Sequence, residues 1–97
     1  MRVDFNQTLK QLDGSDILTE TSEPLTLGRL CTVALLNDDS GNGSDKERRY
    51  RMAQKLYHNG EHEFSTEDVA WLKDTVGRII TSTLHAGQAR IMLEAGS

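Results

Sequence analysis

The sequence predicts an α+β fold: an N-terminal β-hairpin packed against a three-helix arrangement, the last helix kinked or split near 81–87. Three observations predict it. Apolar residues recur at helical spacing over 26–37, 45–58 and 65–94. Strand-like alternation and a turn dipeptide, Asp13-Gly14, fall within 1–19 instead. Ninety-seven residues can bury one modest core, so both parts belong to a single domain, 1–97.

The stretch 65–94 is the longest helical reading, and the other segments read as pieces folded onto it. Val69, Leu72, Val76, Ile79, Ile80 and Leu84 form one apolar face. Ser65 is a good N-cap, because its hydroxyl accepts from free first-turn amides. Glu67 and Asp68 follow where the helix dipole favours negative charge. Phe64 and Val69 stand at the positions of a hydrophobic staple. Unbroken, this helix would run about 44 Å at roughly 1.5 Å per residue. Thr81-Ser82-Thr83 and Gly87 weaken it, so a break is expected between Thr81 and Gly87, with a short helix beyond.

Residues 2–19 form the expected β part. Val3 and Phe5 alternate with polar residues. Asp13-Gly14 predicts a two-residue turn with positive φ at both positions, pairing 9–12 with 15–18. Alone such a hairpin is marginal, so it must pack on helices. Residues 19–24 read as a polar connector, in which Pro24 disfavours helix at Glu23. A helix over 26–37 follows, with Leu27, Leu30, Cys31, Ala34 and Leu35 on one face. The loop over 38–44 carries two glycines. Ser44 and Glu47 then read as a capping box opening the helix over 45–58. Its thin apolar stripe is Tyr50, Ala53, Leu56 and Tyr57, and Asn59-Gly60 ends it. No internal repeat is visible.

Composition narrows the function classes. A net charge of −4 argues against nonspecific nucleic-acid binding and against anionic membranes. No stretch approaches the ~20 apolar residues that span a bilayer. The opening MRVDFNQ lacks the apolar run of a secretory signal. Cys31 is the single cysteine, which fits a reducing cytoplasm. It sits on an apolar helix face and reads as a buried, inert thiol.

Metal and catalytic motifs fail on inspection. Asp38, Ser40, Asn42 and Gly43 match positions 1, 3, 5 and 6 of a calcium loop, but Lys46 and Arg49 stand where ligands belong at 9 and 12. His58 and His62 are four apart, yet Asn59-Gly60 breaks the helix that would align them. There is no nucleophile elbow, phosphate loop or glycine fingerprint. No enzyme activity, cofactor or metal is expected.

Two surface features remain. Arg48, Arg51 and Lys55 project along one face of the third stretch's predecessor, the helix over 45–58, where Asp45 and Glu47 dilute them. A nucleic-acid helix can look like this, but a solvated face or one steering an acidic partner fits the composition better. Trp71 lies about 130° from its helix's stripe centre at ~100° per residue. Val33 and Leu36 also lie off their helix's main face. These residues either pack a second side or form an apolar patch for a partner or a second copy.

From Leu25 onward the chain resembles small phage-encoded accessory proteins of uncharacterised function. LTLGRLCTVALL, KERRYRMAQKLY, EDVAWLKDTVGR and GQARIMLE carry the resemblance. It implies a phage or prophage origin and a bacterial cytoplasm, and it carries over no site residue. The expected function is therefore a non-enzymatic accessory or protein-interaction role. A host or phage protein, or a second copy, would bind through Trp71, Val33 and Leu36, with Arg48, Arg51 and Lys55 steering it. The alternative is a nucleic-acid-binding regulator using 45–57.

Overall fold

The helix at the centre is not the longest one. In the computed structural model, which describes residues 1–96, the helices are Leu27–Asn37 (α1), Gly43–Tyr57 (α2), Thr66–Ile79 (α3) and Thr83–Glu94 (α4). Of these, α1 packs against all the others. Leu27, Gly28, Leu30, Cys31, Thr32, Ala34 and Leu35 are all buried. Thr32 satisfies its buried hydroxyl by donating to the Gly28 carbonyl at 2.7 Å. The expectation that 65–94 organises the chain is corrected: α3 buries one face, whereas α1 is enclosed on most of its circumference.

The start of α1 is tied down twice. Thr26 caps it, its hydroxyl accepting from Arg29 N at 3.2 Å. The amides of Leu27 and Gly28 have no partner within the helix. They donate to the carbonyls of Gln7 and Phe5 at 2.8 and 3.1 Å. Gly28 also lies hard against the end of α2. A Cβ at this position would stand 2.6 Å from the Leu56 carbonyl oxygen.

Antiparallel pairing supplies the β part, so the α+β class holds. Its one regular ladder joins Arg2–Asp4 (β1) to Glu61–Glu63 (β2), with Arg2 opposite Glu63, Val3 opposite His62 and Asp4 opposite Glu61. Val3 and Phe5 point into the core, where Phe5 meets Phe64 edge-on at 5.9 Å.

The Asp13-Gly14 hairpin forms with a corrected register. Lys10 bridges Asp16, Gln11 N donates to Ser15 O, and Gly14 N donates back to Gln11 O. The loop thus has three residues, and only Gly14 takes positive φ, at 89°. This slip of one residue sets Leu9 opposite Ile17, and both are buried. A second turn repeats the design eight residues on. Thr19 N donates to Glu23 O, Ser22 N donates to Thr19 O, and Ser22 holds φ 63°. Residues 19–24 are therefore a hairpin, not a connector. Three backbone bonds close a ring: Leu9 N to Leu25 O, Leu25 N to Ile17 O, and Ile17 N to Leu9 O. Gln88 of α4 clamps the ring, accepting from Lys10 N at 2.8 Å and donating to Lys10 O at 2.6 Å.

The helix ends differ in detail from expectation. Asn42 and Asp45 form the capping box of α2, not Ser44 and Glu47. Asn42 is as good a cap as Ser44, and Asp45 reaches back to its amide in place of the usual Glu or Gln, so the helix starts at Gly43. The split expected near 81–87 is present: the chain leaves the helix over 80–82, with Ile80 extended, and Ser82 caps α4. Gly87 is helical, with open space around it. The chain reverses at the break, so Lys73 of α3 reaches Glu94 of α4 at 2.5 Å.

Gly28 and Gly87 therefore predict opposite responses to a methyl group. Gly28→Ala should lower stability by about 2 kcal/mol, because a backbone oxygen cannot yield as a side chain can. Gly87→Ala should raise it by about 0.5–1 kcal/mol through helix propensity. Urea denaturation followed by circular dichroism measures both.

Candidate interaction surface

The off-stripe residues of α1 line a groove. Val33 and Leu36 are 49% and 61% exposed. Beside them lie Tyr57 of α2 and Leu18 from the second hairpin, around a depression of about 710 Å³. A second depression of about 250 Å³ continues it between Leu36, Tyr50 and Tyr57. The guanidinium of Arg29 stacks over the Tyr57 ring at 4.0 Å and donates from Nε to Tyr57 O at 3.1 Å.

Helix α2 turns differently from expectation. Its buried residues are Arg49, Met52, Ala53 and Leu56, so Tyr50 and Tyr57 face outward. Both stripes are helical in period. The alternative counts Arg49 as part of the apolar face, and that residue's aliphatic stem makes the face possible. The expected stripe placed Tyr50 and Tyr57 inward, and that is corrected: they are surface residues, as is Leu18, which no helical stripe covers.

The basic helix is largely neutralised. Arg48 pairs with Asp68 of α3, and Arg51 pairs with Glu47 one turn away at 2.6 Å. Lys55 lines a cleft of about 430 Å³ with them, but so do Glu47, Glu63 and Asp68. Trp71 lies beyond this cleft, half-buried against the core. Arg48 covers its ring, with Cζ 4.1 Å from the ring centre. Trp71 and the Val33–Leu36 groove thus share no depression, and the expected surface divides in two.

The calcium-like loop holds a cation of the protein's own. Asp38 is buried and accepts from Arg78 Nη2 at 2.8 Å. Its other oxygen accepts from Ser40 N and Oγ at 3.0 and 2.6 Å. Arg49 is also buried, with Nη2 3.9 Å from Asp38 and Nη1 donating to Ser40 O at 2.9 Å. The Arg78 bond, then the Ser40 hydroxyl bond, holds the Asp38 carboxyl well below its ordinary value. His58 and His62 part company: His62 sits on β2 against Phe5 and Phe64, and His58 lies beside Tyr57. Among the described residues no three His, Cys, Asp or Glu side chains converge on a metal position. Cys31 is fully buried, and burial pushes its thiol up to about 12, which leaves almost no thiolate at neutral pH.

No protein-family model, curated protein or solved structure matches the chain.

Two measurements follow from these contacts. Asp38 has a depressed folded-state value, so its contribution is fully present above the unfolded value of 3.8 and is lost as pH falls below it. Asp38→Asn should cost about 2 kcal/mol at neutral pH, since it leaves Arg49 buried while Arg78 stays half in water. It should also flatten the loss of stability below about pH 4, read by thermal melts across pH. Arg48→Ala should uncover Trp71, moving its fluorescence to the red while costing about 1 kcal/mol or less.

Proposed function

We propose that this chain is a small, non-enzymatic interaction protein, phage- or prophage-encoded, acting in a bacterial cytoplasm. It binds a host or phage protein, or a second copy of itself, through the groove formed by Leu18, Val33, Leu36, Tyr50 and Tyr57. The observation that carries this reading is the continuity of those side chains. Isolated exposed apolar residues are ordinary, but contiguous ones on one face favour association. Tyrosines also suit such a surface, since they offer large contact area with little conformational freedom to lose.

The origin and compartment rest on the resemblance of the segments between Leu25 and Glu94. Trp71 has less claim to the partner than the sequence suggested, because Arg48 already occupies its face. The nucleic-acid alternative has less support as well. Arg48 and Arg51 are engaged by carboxylates, and Arg49 is buried.

Light scattering after size exclusion tests self-association, and affinity capture from phage-infected bacterial lysate tests partner binding. Val33→Ser/Leu36→Ser alters exposed residues only and should keep the native circular dichroism. The expected result is a dimer or a captured protein with wild type that the variant loses. Strictly monomeric behaviour with identical capture by both would overturn the proposal.

A further inference from the structure

Resting on the interaction reading, we infer that the groove takes an amphipathic, cationic segment of a partner protein: apolar side chains flanked by lysine or arginine. The chemistry of the groove's two sides differs. Its floor is apolar, with Leu18, Val33, Leu36 and Tyr57 facing the depression. Its lip is acidic. Glu20 and Glu23 stand on the 19–23 turn and line the same depression. Among the described residues neither carboxylate meets a lysine, arginine or histidine within 4.0 Å. The contrast with the opposite cleft is direct, since Glu47 and Asp68 there are both ion-paired.

The lip is also held in place. Thr19 N to Glu23 O at 2.7 Å and Ser22 N to Thr19 O at 2.9 Å close the turn. A hydrogen bond from Glu23 N to Thr19 Oγ1 at 3.3 Å adds a third tie. A pre-formed lip loses little conformational freedom on binding. Arg29 lines the depression as well, with its guanidinium on the ring and carbonyl of Tyr57 and not within ion-pair distance of either glutamate, so lip and wall together keep an excess of negative charge. The volume, about 710 Å³, accommodates several side chains rather than a lone one.

Charge selects among occupants. A second copy brings another chain of net charge −4 to an acidic lip, and nucleic acid brings phosphates to it. A cationic segment gains at both the floor and the lip, and its attraction to the lip weakens with salt.

The test uses a fluorescent amphipathic leucine–lysine peptide, with a leucine–glutamate peptide as its charge opposite, read by anisotropy against the full chain. The leucine–lysine peptide should bind and the leucine–glutamate peptide should not. Val33→Ser/Leu36→Ser should weaken binding about tenfold or more. Glu20→Gln/Glu23→Gln should weaken it about threefold or more at low salt, while Glu67→Gln, which removes a carboxylate elsewhere, should leave it unchanged. Equal binding of both peptides, or equal losses from the lip and Glu67 variants, would overturn the inference. If the leucine–lysine peptide fails to bind while Val33→Ser/Leu36→Ser still abolishes a dimer or a captured protein, cationic chemistry is refuted and the interaction surface stands.

Discussion

The close approach of Gly28 to the last turn of α2 is the constraint on which the other contacts depend. Helix α1 can enter the centre of the molecule only because nothing projects from that position toward the Leu56 carbonyl. The same turn of α1 delivers two free amides to Gln7 and Phe5, which brings the N-terminal segment alongside. Phe5 then meets Phe64, and β1 pairs with β2. Thr26 joins both roles, since its hydroxyl also donates to Asn59 Oδ1 at 2.6 Å. One helix start thus fixes where α2 ends, where the chain begins and where α3 is launched.

Beyond β1, residues 8–26 solve the problem of short β segments that join no sheet. A two-stranded hairpin has open edges and little buried surface. Here three segments close on one another through Leu9, Ile17 and Leu25, so each supplies one donor and one acceptor. Two three-residue turns with the same bonding link them. One places glycine at the positive-φ position and the other places serine there, at some conformational cost. Only the glycine version is recognisable as a turn signal. The serine version shapes the acidic lip of the groove.

Arginine use explains why a helix rich in basic residues presents so little free charge. Arg49 lends its stem to the core and its head to the Asp38 loop. Arg48 covers Trp71 and meets Asp68, and Arg78 closes the Asp38 site from α3. These groups tie α2 and α3 to the loops around them. The acidic excess accordingly shows at places such as Glu20 and Glu23, beside the apolar floor of Val33 and Leu36, and it is there that the surface has chemistry left to offer a partner.

What the sequence by itself determined is what local periodicity and capping can encode. The stripe of α1, the Ser65 cap of α3, the ending at Asn59-Gly60 and the inward Val3 and Phe5 all follow from neighbours within a few residues. The place of Val33 and Leu36 off the α1 stripe follows in the same way, but only the structure decides that they face outward and not a second packing side. Tertiary structure decided where local rules were evenly matched. Ser44 and Asn42 offered equivalent caps, and α2 offered two apolar stripes. The Asp13-Gly14 turn permitted two registers, and burial of Leu9 with Ile17 chose between them. The pairing of β1 with β2, the central place of α1 and the cover over Trp71 each join residues distant in the chain. No local pattern specifies such contacts, because their free energy comes from the surface that two separate elements remove from water together.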